Sequence, residues 1–165
     1  MSSALDLLHT LYEYSAWSRD RMLDAAQGLD AGQLHTGIPG VYGSIHDTLV
    51  HMAVSQWMWF ERLQGRSPHE VPTGADFADL AQLRAWWDTQ QAASLAYLGG
   101  LREEDLDHTI QYTNTTGQAY TRRVWHALLQ VVNHQTEHRS QVAALLTQQG
   151  VEAPPTDLVV FLRQG

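Results

Sequence analysis

Apolar residues recur at intervals of three and four positions over four long segments of the chain, which is the spacing of a helix that buries one face. These segments cover about residues 4–27, 44–65, 76–98 and 121–149, and a glycine lies at or just after the end of each. Four helices of about 20 residues or more predict an all-α four-helix bundle. The length of 165 residues predicts a single domain, residues 1–165.

The second helix is apolar on almost every side, so we expect it to lie at the centre of the bundle or at a contact between subunits. Ser44 is expected to cap its N-terminus. Before the last helix, residues 107–120 are rich in Thr and Tyr and have turn residues at Asn114–Gly117. This segment is a short β-hairpin or an irregular crossover, and we favour the hairpin. After Gly150 the chain is expected to be extended at its prolines, with its apolar residues packed against the bundle.

Charge and residue usage narrow the classes of function. A formal net charge of -8, with 10 scattered Lys and Arg residues, argues against nucleic-acid binding, which needs clustered positive charge. The chain has no cysteine, which excludes disulfides, thiolate zinc sites and a cysteine nucleophile. Because the N-terminus lacks a signal-peptide pattern and no apolar run is long enough to span a membrane, we expect a cytoplasmic protein without membrane contact.

Histidines are the main candidates for chemistry in this sequence, which has 9 of them. His134 and His138 lie four residues apart in the last predicted helix, where they continue an apolar stripe that includes Val131 and Val142. Side chains at this spacing lie one turn apart on the same face, so both imidazoles should point inward and can reach one metal ion. Unpartnered buried polar groups cost on the order of 1–3 kcal/mol each, and a divalent metal would satisfy both rings.

A third metal ligand is expected from another helix of the bundle. His51 is the best candidate, because it lies among apolar residues in the middle of the second helix. His51, His134 and His138 would form a site that keeps positions open for water or substrate. Imidazole ligands suit Zn, Ni, Cu and Fe, so the sequence leaves the metal open. The alternative is three core histidines whose rings are satisfied by Tyr, Gln or backbone partners.

Other polar residues give weaker signals. The segment from His134 to His138 fits H-x-x-E-H, a metalloprotease pattern in which Glu137 would be the general base, although a solvated Glu137 is the favoured interpretation. Asp47 lies one turn before His51 and either orients its imidazole or stabilises the helix N-terminus. His126 is expected to have a packing role. Four further histidines are expected to be solvated: His9, His35, His69 and His108.

Three segments of the chain resemble the DinB-like family, which is grouped with YfiT-like metalloenzymes and with bacillithiol- or mycothiol-dependent S-transferases. The segments are YEYSAWSRDRMLDAA, SIHDTLVHMAVSQWMWFERL, and NHQTEHRSQVAALLTQQG followed by PPTDLVVFL. The resemblance covers nearly the whole chain and implies a bundle with a long crossover connection, one divalent metal ion per chain and a homodimer. The family's three metal ligands correspond to His51, His134 and His138. Two positions depart from the family pattern, because Ser140 replaces a frequent glycine and Gln130 replaces a frequent histidine.

The expected function is that of a metal-dependent enzyme whose three-histidine site holds zinc, nickel or a similar ion. Thiol S-transferase chemistry on a small-molecule substrate, with a low-molecular-weight thiol as a candidate, is favoured over metal-dependent hydrolysis. The alternative from a different class is a non-catalytic stress-response or binding protein whose metal is structural. The catalytic residues stay unassigned, with Glu137 as a weak candidate.

Overall fold

A computed structural model describes residues 2–163 of the chain and confirms the predicted bundle. Within these residues the α-helices are α1 (Ala4–Ala26), α2 (Ala31–His35), α3 (Ile45–Leu63), α4 (Leu80–Gly99), α5 (Val124–Gln148) and α6 (Leu158–Leu162). The two strands are β1 (Thr109–Thr113) and β2 (Ala119–Arg123), and two 3-10 turns cover Gly74–Asp76 and Glu103–Asp107. The four long helices α1, α3, α4 and α5 form the bundle, whereas the sequence did not predict α2.

The helices that follow one another in the chain are not the ones that pack together most closely. Helix α5 packs against both α1 and α3, and α4 also packs against both of them. Helices α1 and α3 therefore lie opposite each other across the bundle, and so do α4 and α5. The resemblance implied a long crossover connection, and two connections cross the bundle in the described part of the chain, at residues 27–44 and 100–123.

The N-terminus of α3 is fixed by a reciprocal cap, as the sequence predicted for Ser44. The Ser44 hydroxyl accepts a hydrogen bond from the Asp47 backbone N–H at 3.1 Å. In return, the Asp47 carboxylate accepts from the Ser44 backbone N–H at 3.2 Å and from its hydroxyl at 2.8 Å. This capping box satisfies backbone donors that the first turn of a helix leaves free, and it defines where α3 begins.

Two helices begin later than their apolar pattern indicates. Helix α4 begins at Leu80 rather than near residue 76, because Asp79 accepts a hydrogen bond from the Gln82 backbone N–H at 2.8 Å and caps it. Helix α5 begins at Val124 rather than near residue 121, because β2 continues to Arg123. In both cases a local hydrogen-bonding pattern decides the boundary that periodicity leaves open.

The core has two apolar clusters, and α3 contributes to both. Leu49 and Ala53 of α3 are fully buried in one cluster, and Phe60 lies in the other. Within the same core, the Trp87 indole N–H donates to the Gln56 side-chain oxygen at 2.9 Å, so this buried polar pair is satisfied. The sequence left α3 either central or at a subunit contact, and the structure buries 12 of its 19 residues.

The segment before α5 is the predicted hairpin, in which β1 and β2 pair antiparallel. Its turn includes Gly117 at a φ of 83°, a conformation that favours glycine. The C-terminal segment packs back onto the bundle as expected, because the Phe161 ring of α6 lies 5.7 Å from that of Trp17 and 5.9 Å from that of Tyr14. Among residues 2–163, no helix has the length and apolar character that a membrane span requires.

Candidate metal centre

The structure brings together the three histidines that the sequence singled out. His51 is in the second turn of α3, and His134 and His138 lie on consecutive turns of α5, which packs against α3. One nitrogen from each ring lies within 4.8 Å of the other two. The two Nε2 atoms of His51 and His134 are 3.0 Å apart. Two helices that are distant in sequence thus supply three imidazoles to one point.

These separations fit a shared metal ion. A zinc-type ion bonds imidazole nitrogen at about 2.0–2.1 Å, so two nitrogens of a tetrahedral site lie roughly 3.3 Å apart. The 3.0 Å between the Nε2 atoms of His51 and His134 is close to that value. The ring centroids of the three pairs lie 4.3–4.8 Å apart, so no ring is displaced from the group. The group has the size that a single divalent ion needs.

Gln141 orients the third ring. The His138 Nδ1 lies 2.8 Å from the Gln141 side-chain oxygen, which accepts a hydrogen bond, so Nδ1 carries the proton. The His138 Nε2 is then the unprotonated nitrogen and is available as a ligand. Metal-binding histidines commonly donate their other N–H to such an acceptor. Helical periodicity did not single out Gln141, although its position three residues after His138, on the same helical face, is a usable signal.

Tyr42 covers the site from the loop before α3. Its ring stacks on His51 with centroids 4.2 Å apart and meets the edge of His138 at 5.5 Å. Tyr42 is 46% exposed, so one side of the ring faces the imidazoles while the rest faces solvent. Its position could not be predicted from the sequence, because a loop residue has no periodicity that would place it beside a helix.

Burial favours the neutral form of His51 and His134, which is the form that binds metal. Burial, with smaller contributions from His138 and His51, lowers the pKa of His134 to about 4. Burial also lowers the pKa of His51, and His138 adds to that effect. The His134 Nδ1 is buried and has no hydrogen-bond partner among residues 2–163. Neutral imidazoles that face inward, one of them with a ring nitrogen that lacks a hydrogen-bond partner, are ligands that suit a divalent transition metal.

A cleft of about 440 Å³ reaches the centre at His51. Both apolar and polar side chains line it. The residues that line it are Tyr42, Gly43, Asp47, Val50, His51, Val54, Val71, Pro72, Thr73 and Gly74. Within the described residues, the group contains no fourth His or carboxylate. Three protein ligands beside a cleft are typical of a site that keeps a position for water or substrate.

The remaining sequence candidates lie outside the centre. Glu137 is exposed on α5 and is not a member of the three-histidine group. Of the two roles that the sequence left open for Asp47, the structure supports capping, because its carboxylate hydrogen bonds are to Ser44. Ser140 and Gln130 are both exposed and do not line the cleft, so these departures from the family pattern do not alter it.

A second group of side chains lies at the junction of α2 and α3. His35, His46 and Asp47 each offer a nitrogen or oxygen atom within 4.8 Å of the other two. His35 is exposed, as expected, but it is not isolated, because its ring centroid lies 4.6 Å from that of His46. The sequence did not predict this group, since His35 comes from a short helix that the apolar pattern does not indicate.

Comparison with known proteins agrees with the resemblance noted in the sequence. The model of the DinB family matches residues 1–164. Protein DinB of Bacillus subtilis (strain 168) is 27% identical over 162 residues, which cover 95% of this chain and 94% of that protein. The crystal structure of a DinB-like protein from Bacillus cereus ATCC 10987 has a TM-score of 0.65 at 19% identity, with 87% of this chain and 91% of that chain covered. That structural likeness supports the fold.

Proposed function

The chain belongs to the DinB family, and from this premise we propose that it binds one divalent metal ion through His51, His134 and His138 as the centre of a metal-dependent enzyme. The observation that carries the proposal is the convergence of three imidazole nitrogens within 4.8 Å of one another beside a cleft. Zinc, nickel or a similar ion suits this donor set.

The cleft favours a catalytic site over a structural one. A structural zinc site is closed by four protein ligands, whereas this group offers three among the described residues. His51 lines a cleft of about 440 Å³, which is in the size range of small-molecule sites. A small-molecule substrate that enters there would approach the position left open by the protein ligands.

Thiol transfer is the chemistry that we propose for the centre. A divalent ion held there would lower the pKa of a low-molecular-weight thiol and favour its thiolate form. Burial favours the neutral imidazole at His51 and His134, and Gln141 orients His138. Val50, Val54 and Val71 provide an apolar wall along the cleft, which limits access of water to the bound thiol.

Hydrolysis fits the site less well, because it needs a base beside a metal-bound water. Glu137, the one carboxylate that the sequence offered for that role, is exposed and lies outside the group. The Asp47 carboxylate lines the cleft, but its Oδ2 accepts hydrogen bonds from Ser44 and the residue is not a member of the three-histidine group. We therefore favour transfer of a thiol to an electrophile over hydrolysis.

Metal analysis tests the centre itself. The chain, purified without a metal-affinity tag, should contain about one divalent ion per molecule after exposure to zinc or nickel. His51→Ala and His134→Ala should lose that ion and keep their helical circular dichroism. His126→Ala, an exposed histidine of α5, is the matched control and should retain it. Retention of the ion in both ligand variants would overturn the assignment.

A thiol-transfer assay tests the chemistry separately from binding. The metal-loaded chain is mixed with a low-molecular-weight thiol and an aromatic chloride electrophile, and release of chloride is followed with formation of the thioether. Turnover that is lost in His51→Ala supports thiol transfer. If the metal-loaded chain transfers no class of thiol but hydrolyses an activated ester, the proposed reaction would be wrong and hydrolysis would take its place.

The assembly of the chain is a separate proposal. We propose a homodimer, because Leu7, Trp125 and Leu129 leave large apolar side chains 59%, 37% and 42% exposed on neighbouring parts of α1 and α5. Sedimentation at micromolar concentration should give a dimer mass. A monomer mass at every concentration would contradict this proposal and would leave the metal centre unaffected.

A further inference from the structure

The group formed by His35, His46 and Asp47 lies beside the metal centre but shares no residue with it. His35 is the last residue of α2, and His46 and Asp47 are in the first turn of α3. The imidazole rings of His35 and His46 lie 4.6 Å apart between centroids. Residues from two separate helices therefore converge on one point at this junction.

His46 has an unmet hydrogen-bonding nitrogen that faces this point. The residue is 4% exposed, and its Nδ1 has no hydrogen-bond partner among residues 2–163. The nearest Asp47 oxygen, Oδ1, is 3.9 Å from this Nδ1, which is too far for a hydrogen bond. That distance is within the span of two atoms that each bind one ion at about 2.0–2.2 Å.

Asp47 has one oxygen to offer in the same direction. Its Oδ2 accepts hydrogen bonds from the backbone and hydroxyl of Ser44. Those two bonds leave Oδ1, the oxygen nearest to His46, free to bind a cation. The capping box therefore fixes the carboxylate without using both of its oxygens.

Gly74 leaves the space in front of these atoms open. A Cβ at position 74 would lie 3.2 Å from the His46 Cε1, 3.5 Å from its Nδ1 and 3.8 Å from the Asp47 Oδ1. A side chain here would occupy the side of the ring on which the unpartnered nitrogen lies. The 3-10 turn at Gly74–Asp76 thus approaches the group without filling it.

We propose that His35, His46 and Asp47 form a second divalent-cation site. Two imidazoles and one carboxylate are a ligand set that suits Fe²⁺, Mn²⁺, Co²⁺ or Zn²⁺ and leaves coordination positions open. The site binds more weakly than the three-histidine centre, because His35 and Asp47 are exposed and must be ordered by the ion. Its existence does not depend on the function proposed above.

The second site adjoins the same cleft as the first. Asp47 lies one helical turn before His51, and both residues line the cleft of about 440 Å³. A cation at Asp47 would place positive charge at the cleft wall, where an anionic group of a substrate would be attracted. The two sites therefore supply two cations to one cleft, with different ligand sets and different affinities.

Cobalt titration of the untagged chain tests this proposal. Equilibrium dialysis with elemental analysis is expected to give two Co²⁺ ions per wild-type chain at millimolar Co²⁺. His35→Ala should bind one ion, and His51→Ala should bind one weaker ion. His69→Ala, another exposed histidine, is the matched control and should bind two.

Gly74→Ala provides an independent variant that removes no ligand. It should weaken the second ion and leave the first unchanged, because its methyl group would lie against His46. One Co²⁺ per wild-type chain that His35→Ala retains and His51→Ala loses, or two per His35→Ala chain, would overturn the second site. Failure of the first site alone would appear as one ion per wild-type chain that His51→Ala retains and His35→Ala loses. The double variant His35→Ala/His51→Ala should lose the ion that His51→Ala retains, which would confirm the second site.

Discussion

At the scale of single residues, the three histidines differ in what surrounds them. His134 is half-buried, and its enclosed Nδ1 has no partner among the described residues, whereas the buried His138 is held by Gln141. His51 is covered by the ring of Tyr42 and also borders the cleft. The surroundings that position the three rings therefore differ: an enclosed ring nitrogen at His134, a hydrogen bond at His138 and ring stacking at His51. Each of these contacts predicts a different response to substitution or to pH.

Gln141→Leu should weaken metal binding without removing a ligand. Leucine keeps the approximate size of the side chain but cannot accept the proton of the His138 Nδ1. Loss of such an acceptor typically lowers metal affinity by about 10-fold or more. Isothermal titration with zinc would measure the change, and Gln141→Glu, which keeps an acceptor, should bind at least as tightly as wild type. Equal affinity of Gln141→Leu and wild type would show that this contact does not support the site.

Acid should destabilise the metal-free chain. Burial lowers the pKa of His134 to about 4 in the folded state, whereas an unfolded histidine titrates near 6.5. As pH falls from about 6.5 to about 4, the unfolded chain takes up this proton first, so the free energy of unfolding falls through that window. After discounting for solvent, the loss is on the order of 2 kcal/mol.

Urea unfolding at several pH values would measure this loss. His134→Gln should show a smaller fall in unfolding free energy over the same window, because it lacks the titrating ring. A wild-type chain whose stability stays constant from neutral pH to about pH 4.5 would contradict the assigned burial effect. Metal binding should weaken over the same range, since neutral imidazoles are the ligands.

At the scale of elements, the start of α3 connects the fold to both candidate sites. Ser44 and Asp47 cap the helix, and the second turn then carries His51 into the bundle. The loop before it contains Gly43 at a φ of 57°, a conformation that residues with a Cβ rarely adopt. This glycine allows the chain to enter α3 directly beside Asp47. The position of the ligands thus depends on a turn that contains none of them.

Gly43→Ala should destabilise the chain by about 1–2 kcal/mol, because it adds backbone strain. The new Cβ would also lie 2.8 Å from the Asp47 Cβ, closer than such atoms approach. Thermal or urea unfolding would measure the change. Gly28→Ala is the matched control, since a Cβ there has no atom within 4 Å, and it should change stability by less than about 0.5 kcal/mol. Equal stability of the two variants would refute the strain at Gly43.

At the scale of the whole molecule, the metal centre joins helices that the chain separates. His51 and His134 are 83 residues apart, and α3 and α5 meet only because the crossovers bring them together. A ligand that binds the folded state alone stabilises it in proportion to the logarithm of its concentration. An ion bound by both helices therefore stabilises the bundle as a whole, beyond its effect on local geometry.

Removal of the metal should lower the melting temperature of the chain. With free metal at about 100 times the dissociation constant, binding contributes about 2.7 kcal/mol of stability, which corresponds to a shift of roughly 5–10 °C in a domain of this size. Differential scanning calorimetry with zinc and with a chelator would measure the shift. His51→Ala should show a much smaller shift between the two conditions, and a wild-type chain whose melting temperature does not change would contradict a shared ion.

The residues that the sequence placed correctly are those that repeat with the period of a helix. Leu128, Val131 and Val142 mark the buried face of α5, and the two α5 histidines share that face. Gln141 was missed although it obeys the same geometry, because a single polar residue three positions from a histidine is common on any helix. Tyr42 and the pair of His35 and His46 had no such signal, since their partners lie on separate elements.

The sequence by itself determined the number and type of the long elements, because helical periodicity and turn residues are local properties of the chain. It also identified the three histidines as candidate metal ligands, since two of them share a helical face and the third interrupts an apolar helix. Tertiary structure alone decided which helices are adjacent, that the third imidazole reaches the other two, and that a cleft opens at His51. Those features depend on long-range packing and loop closure, which no local pattern of residues encodes.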